Sequence, residues 1–271
     1  MSGGSMKEIQ TRMKSIQGTR QITKAMQLVS SSRLRRAKMQ MEQAQPYFEV
    51  FQELIQKTAI PSRDSIFLTP TPGKRVCFCV IAGDRGLAGG YNMNVFREVQ
   101  SHPQFSNAAL LPIGKKTAEF FRDKTDLQSP MKVSAMNLEA CFKLGQTLTD
   151  DFLCGRFDAF YLTYTQYHSA IRQTPITFRV LPLDTAPQQY IEYDPSLPAM
   201  FKQVIPDYLA ALLYHAVTQA YVSELSSRQS AMDTATKNAD DMLDSLRLRY
   251  NRARQAGITQ EITEIISGSD F

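Results

Sequence analysis

From Asp207 to Ala256 the chain contains neither glycine nor proline, although it holds 13 of each among its 271 residues. The stretch is rich in Ala, Leu, Gln, Arg, Met and Asp, a composition compatible with helix. A helix from Pro206 to Ser267 would be about 90 Å long at 1.5 Å per residue. A compact globule of the whole chain would be roughly 50 Å across. Such a helix cannot be contained in the globule and needs a partner along its length. From Leu225 a seam runs at alternating steps of three and four: Leu225, Arg228, Met232, Ala235, Ala239, Met242, Leu246, Arg249, Ala253, Ala256. Small residues and two arginines stand where a strong zipper would carry leucine, so the predicted coiled coil is slim and buries little area.

The N-terminal segment supplies the partner. Lys7 to Gln45 has a single breaker, Gly18, and carries Ile9, Met13, Ile16, Met26, Val29, Ala37, Met41 and Ala44 at broadly helical spacing. Pro46 marks a kink or the end of a first section, and Tyr47–Ile55 continues to the Ile60–Pro61 boundary. Between the long helices the pattern changes. Val76–Ala82 reads as a buried strand, Asn92 or Asn94 as the cap of a short helix ending at His102–Pro103, and Ala108–Ile113 as a second strand. A helix from Lys115 to Asp123 follows, then one capped by Asn137 and ending at Gly155, then strands Phe157–Thr165 and Ile176–Leu181. Strands alternating with helices predict an open sheet, parallel at its centre.

The fold class is therefore α/β: a long antiparallel coiled coil of the N- and C-terminal helices plus a central open, Rossmann-like domain. The predicted divisions are a flexible extension over 1–5, the first helix over 6–60, a linker over 61–75, the central domain over 76–193 and the last helix over 200–267.

Candidate chemistry is sparse. The turn Gly83–Gly90 follows the first strand, where a phosphate cradle would sit, but matches neither G-x-G-x-x-G nor the P-loop pattern. His102, His168 and His215 are scattered, and Asp150–Asp151 and Asp240–Asp241 look like solvated helix surface. Cys77, Cys79, Cys141 and Cys154 form no C-x-x-C pair and read as reduced, mostly buried thiols. No catalytic residue, cofactor-binding residue or metal ligand is assigned, and no cofactor is expected. No apolar run approaches the ~20 residues of a membrane helix.

Charge is the strongest remaining signal. Between Met6 and Met41 nine basic residues (Lys7, Arg12, Lys14, Arg20, Lys24, Arg33, Arg35, Arg36, Lys38) face one acid, Glu8. Solvated helix faces mix signs, so the excess calls for an acidic partner. Nucleic acid is one candidate, a basic coiled-coil nucleic-acid-binding protein being the alternative reading. The segment lacks aromatics before Tyr47, and the opposing helix brings Glu224, Asp233, Asp240, Asp241 and Asp244, which favours an acidic protein surface.

Three motifs then carry a family resemblance. Ile22-Thr23-Lys24-Ala25-Met26-Gln27-Leu28-Val29 with Arg33-Leu34-Arg35-Arg36-Ala37 opens the chain; Asp84-Arg85-Gly86-Leu87 with Gly89-Gly90 and Asn92 lies in the middle. Ala231 to Ala239 and Tyr250 to Ile265 close it. Together they resemble the gamma subunit of F-type ATP synthase. The resemblance implies a non-catalytic rotor shaft, coupling ion flow through a membrane c-ring to ATP synthesis or hydrolysis on beta subunits. It implies contacts with the alpha and beta subunits, the epsilon subunit and the c-ring, no nucleic acid and no membrane span. The implied location is the cytoplasmic face of a bacterial plasma membrane. It also singles out Lys24, Met26, Arg254, Gln255, Thr259 and Glu261 as coupling contacts, with Met26 expected close to Arg254–Thr259 across the hairpin.

Overall fold

The computed structural model describes residues 2–59, 65–68, 75–124, 131–185 and 197–268, the side chains of 2–5, 197–198, 261, 264 and 267–268 excepted. Its elements are α1 (Ser2–Thr58), β1 (Val76–Ile81), α2 (Tyr91–Ser101), β2 (Ala109–Ile113), α3 (Lys115–Phe120), α4 (Leu138–Leu153), β3 (Ala159–Tyr167), β4 (Gln173–Leu181) and α5 (Leu197–Gly268). Helix α1 takes in Ser2–Ser5, where the sequence predicts a flexible extension. Most of the expected linker 61–75 lies outside the described residues. The compact units are Met1–Ser31 with Arg228–Phe271, and Ser32–Ser227. They divide the chain inside α1 and α5, because long stretches of both helices belong to the globular core.

In the larger unit the sheet order is β2-β1-β3-β4, with β1 parallel to β2 and β3, and β3 antiparallel to β4. Strand β1 is central and buried throughout. Alternation sends Cys77, Cys79 and Ile81 to the face packed by α4 and α5, and Val76, Phe78 and Val80 to the face packed by α2. Pro112 and Pro175 fall in the edge strands β2 and β4, where a missing N–H is tolerated. The loop joining β3 to β4 is too short for a crossover, so that pair is antiparallel. Burial pushes the Cys77 and Cys141 thiols up to about 12 and Cys79 upward too, which keeps all three protonated and unreactive. Cys154 is exposed.

Asn137 caps α4 as expected, accepting from the Ala140 N–H at 2.9 Å. Helix α2 is not capped by Asn92 or Asn94. It starts at Tyr91, and the Asn92 side chain instead accepts from the Gly83 N–H at 2.8 Å. Helix α4 lies so close to α5 that a Cβ on Gly145 would sit 2.5 Å from the Pro206 carbonyl oxygen.

In the smaller unit, α1 and α5 pair antiparallel. Gln10 Nε2 donates to Tyr250 Oη at 3.0 Å, Arg20 forms an ion pair with Asp240, the Thr23 and Thr236 hydroxyls lie 2.9 Å apart, and Gln27 Nε2 donates to Asp233 Oδ1 at 2.7 Å. Among the described side chains of this unit, the buried positions on α5 are Arg228, Met232, Thr236, Ala239, Leu243, Leu246 and Gly257. The predicted seam therefore fails at Ala235 and at Met242, Arg249 and Ala256, the last three exposed. One extra step of four, Met232 to Thr236, rotates those positions outward. Thr236 can occupy the seam because its hydroxyl meets both Thr23 and the Met232 carbonyl oxygen, at 2.7 Å for the latter.

Candidate interaction surface on the paired terminal helices

The antiparallel register decides where the predicted contact residues stand. Thr23 faces Thr236, and Gln10 faces Tyr250, so each step forward on α1 is a step back on α5. Lys24 and Gln255 are consequently separated by roughly 28 Å along the pair. The expected closeness of Met26 to Arg254–Thr259 is wrong: Met26 lies beside the Gln27–Asp233 contact, and Arg254–Thr259 lie beyond Tyr250. An intramolecular cross-link between positions 24 and 255 is not expected.

The six residues form two groups. Lys24 is exposed, and its Nζ donates to Gln27 Oε1 at 3.1 Å. Gln27 hands the contact on to Asp233, which is paired with Lys237 at 2.7 Å. The hydrogen bond from Lys237, with its charge, holds the Asp233 carboxyl below the usual range. Met26 is half-buried, and its carbonyl accepts from the Ser30 hydroxyl at 2.7 Å. In the second group Arg254, Gln255 and Thr259 are exposed on α5. The Thr259 hydroxyl donates to the Gln255 carbonyl at 3.0 Å. The Glu261 side chain lies outside the described residues.

Periodicity missed a further component. Ile22, Leu28 and Val29 are 63%, 61% and 52% exposed, and Ile258, Ile262, Ile265 and Ile266 are exposed on α5. Helical spacing puts Val29 in the buried stripe, a place Ser30 takes instead. The usable signal was apolar residues left over after the seam is drawn. The basic excess is partly spent inside the chain, where Arg20 meets Asp240; Lys38 lies 5.1 Å over the Tyr167 ring and keeps its charge. Asp240 is thus an interhelical partner, and Glu224 is buried in the larger unit, where a side chain on Gly83 would run into it. Among the described residues Arg33, Arg35 and Arg36 make no ion pair.

The one turn placed for phosphate binding is filled from within. The Asp84 carboxylate accepts from the Lys115 N–H at 3.1 Å and from the Val133 and Ser134 N–H groups at 3.2 Å each. Those are the donors an anion would need, so the turn ties β1 to α3 and to the segment before α4. Among the described residues no group of three His, Cys, Asp or Glu is placed to hold a metal ion, and no helix is long and apolar enough to cross a membrane.

Residues 5–270 match the family model described as ATP synthase. An ATP synthase gamma chain of Alkaliphilus metalliredigens is 38% identical over 291 residues, covering 99% of this chain and 99% of its own length. One from Ruminococcus albus is also 38% identical, with 98% of each chain covered. In fold, the chain is similar to a component of the Euglena gracilis mitochondrial ATP synthase rotor, with a TM-score of 0.67 at 18% identity over 94% of this chain and 99% of that one. A chain of the Tetrahymena thermophila mitochondrial ATP synthase central stalk and c-ring structure gives a TM-score of 0.58 at 20% identity, covering 79% and 99%.

Proposed function

The chain belongs to the family of ATP synthase gamma chains, and on that premise we propose how it works: as the central rotor shaft of the enzyme, with no catalytic site of its own. The paired helices stand inside a hexamer of alpha and beta subunits. The α/β domain meets the epsilon subunit and the membrane c-ring, on the cytoplasmic face of the bacterial plasma membrane. As the shaft turns, each beta site meets a different face of it and is biased toward a different conformation, a population shift driven by differential contact. The nucleic-acid-binding alternative finds no support in the comparisons.

The observation that carries this reading is the antiparallel pair made from the two ends of the chain. Its seam mixes Met232, Leu243 and Leu246 with threonine, alanine, glutamine and an ion pair, so it buries less apolar area than a leucine zipper would. Its outer face carries scattered apolar and cationic side chains rather than one continuous adhesive patch. Such a surface bears against a sleeve without sticking in one position.

Reconstitution tests it. The full chain alone should neither hydrolyse ATP nor bind it at micromolar concentration, and its addition should accelerate ATP hydrolysis by an alpha–beta hexamer. Saturable micromolar ATP binding to the chain alone, or a hexamer indifferent to it, refutes the reading.

A second expectation concerns Arg254 and Gln255. Because both are exposed on α5, the double substitution Arg254→Ala with Gln255→Ala should change stability by no more than about 0.5 kcal/mol each. If they touch loops of the surrounding subunits, ATP synthesis in reconstituted vesicles should fall roughly fivefold or more, the scale of a coupling free energy of 1 kcal/mol and upward. Unchanged synthesis and ion pumping would make these positions passive surface.

A further inference from the structure

Ile171 is the most exposed of the large apolar side chains described, at 99%. It stands at the tip of the β3–β4 hairpin, and that tip is pinned. The His168 and Ser169 N–H groups donate to the Arg172 carbonyl at 3.2 and 3.0 Å. Ser169 Oγ accepts from the Ile171 and Arg172 N–H groups at 3.3 and 3.0 Å, and Gln173 Nε2 donates to the Ala170 carbonyl at 3.2 Å. The base of the hairpin is tied to α5, where the Ser227 hydroxyl donates to Gln173 Oε1 at 2.6 Å and Gln219 Oε1 accepts from the Tyr167 N–H at 2.9 Å. A loop whose polar groups are so fully used has few conformations left to lose on binding. It holds an aliphatic side chain in water in a fixed direction.

The surroundings are cationic. Arg172 adjoins Ile171, Lys38 covers the Tyr167 ring at the end of β3, and Arg35 precedes Lys38 by about one turn of α1. No carboxylate occurs between Tyr167 and Gln173 or between Arg33 and Met41. We propose that the hairpin tip is a docking peg: Ile171 enters an apolar socket on a neighbouring protein subunit, and carboxylates around that socket meet Arg172 and Lys38. The proposal rests on the assembly reading above and adds a contact lying in the α/β unit, apart from Lys24, Met26, Arg254, Gln255 and Thr259. Nucleic acid would answer to the same cations, but an isoleucine offers bases no stacking face, so a protein surface is favoured.

The test places a photo-activatable residue at position 171 of the full chain, in the complex purified through its alpha subunit. One subunit should be cross-linked, at an apolar segment flanked by Asp or Glu, and Arg172→Glu should reduce the yield about tenfold. In competition for assembly against the wild-type chain, Ile171→Ala should lose roughly 10- to 50-fold, the equivalent of removing the buried methylene-sized groups, while Ile171→Leu should compete well. Position 171 is exposed, so these variants should fold as the wild type does, and circular dichroism checks it. A complex of normal stoichiometry with no cross-link from 171, a cross-link into nucleic acid, or undiminished competition by Ile171→Asp overturns the proposal while leaving the assembly reading intact. Failure of the unmodified chain to co-purify with alpha and beta subunits overturns both.

Discussion

Gly114→Ala should destabilise the α/β unit by about 3–5 kcal/mol, combining backbone strain with overpacking. Gly114 has φ of +104° and ψ of 138°, a conformation in which an L side chain is strained. A Cβ there would lie 2.1 Å from the Ala82 carbonyl oxygen, a backbone atom at the end of the central strand that has no flexible side chain to move aside. The same residue donates to the Met131 carbonyl at 2.7 Å and precedes Lys115, whose N–H is held by Asp84. Moving Gly114 therefore disturbs β1, β2 and the Asp84 turn together. Gly18→Ala is the control in the opposite direction. It lies inside α1 with open space where a Cβ would go, so the change should stabilise the helix by roughly 0.5–1 kcal/mol. Thermal denaturation of both variants measures the pair; a Gly114→Ala protein that melts with the wild type would show that the turn is pliable.

Acid should weaken the chain through His215. This residue is buried on α5, stacked 4.3 Å from the Phe48 ring on α1 and set edge-on to Tyr164 on β3. Its Nδ1 has no hydrogen-bond partner among the described residues. Burial pushes the imidazole down to about 4, against the milder upward pull of Glu49. The unfolded chain takes up the proton near 6.5, so between these values it binds more protons than the folded chain. The stability this neutral histidine preserves is complete above pH 6.5 and is lost as pH falls toward 4. The difference amounts to about 3 kcal/mol across that window. His215→Phe keeps a ring against Phe48 and removes the proton site, and should flatten the acid limb of a stability-versus-pH curve. A limb of unchanged slope would place the acid sensitivity elsewhere.

The architecture was legible because its signals are one-dimensional. Missing glycine and proline between Asp207 and Ala256 announces a helix wherever the chain goes, and Val76–Ala82 reads as a buried strand because both its faces are apolar. Register is different, since it depends on which side chains meet. Thr236 looked like surface until Thr23 was opposite it, and counting by heptads then carried Met242 and Arg249 to the wrong side. The contact residues suffered from the same omission: Lys24 and Gln255 can be proposed separately from their motifs, but their separation follows only from the Gln10–Tyr250 and Thr23–Thr236 pairings. Asp84 was visible as part of a glycine-rich turn, yet nothing local says that its carboxylate will reach N–H groups 31 to 50 residues away. The peg at Ile171 was hidden for the converse reason. An isoleucine between two predicted strands is ordinarily taken for core, and only its neighbours' hydrogen bonds turn it outward.

Joining the first residues of the chain to the last also dictates an order of events during synthesis. The Arg20–Asp240 pair closes across 220 positions. A ribosome adding 5–20 residues per second needs roughly 10–45 s to make the second partner after the first has emerged. Throughout that interval the leading helix has no mate, and Ile9, Met13 and Ile16 are bare.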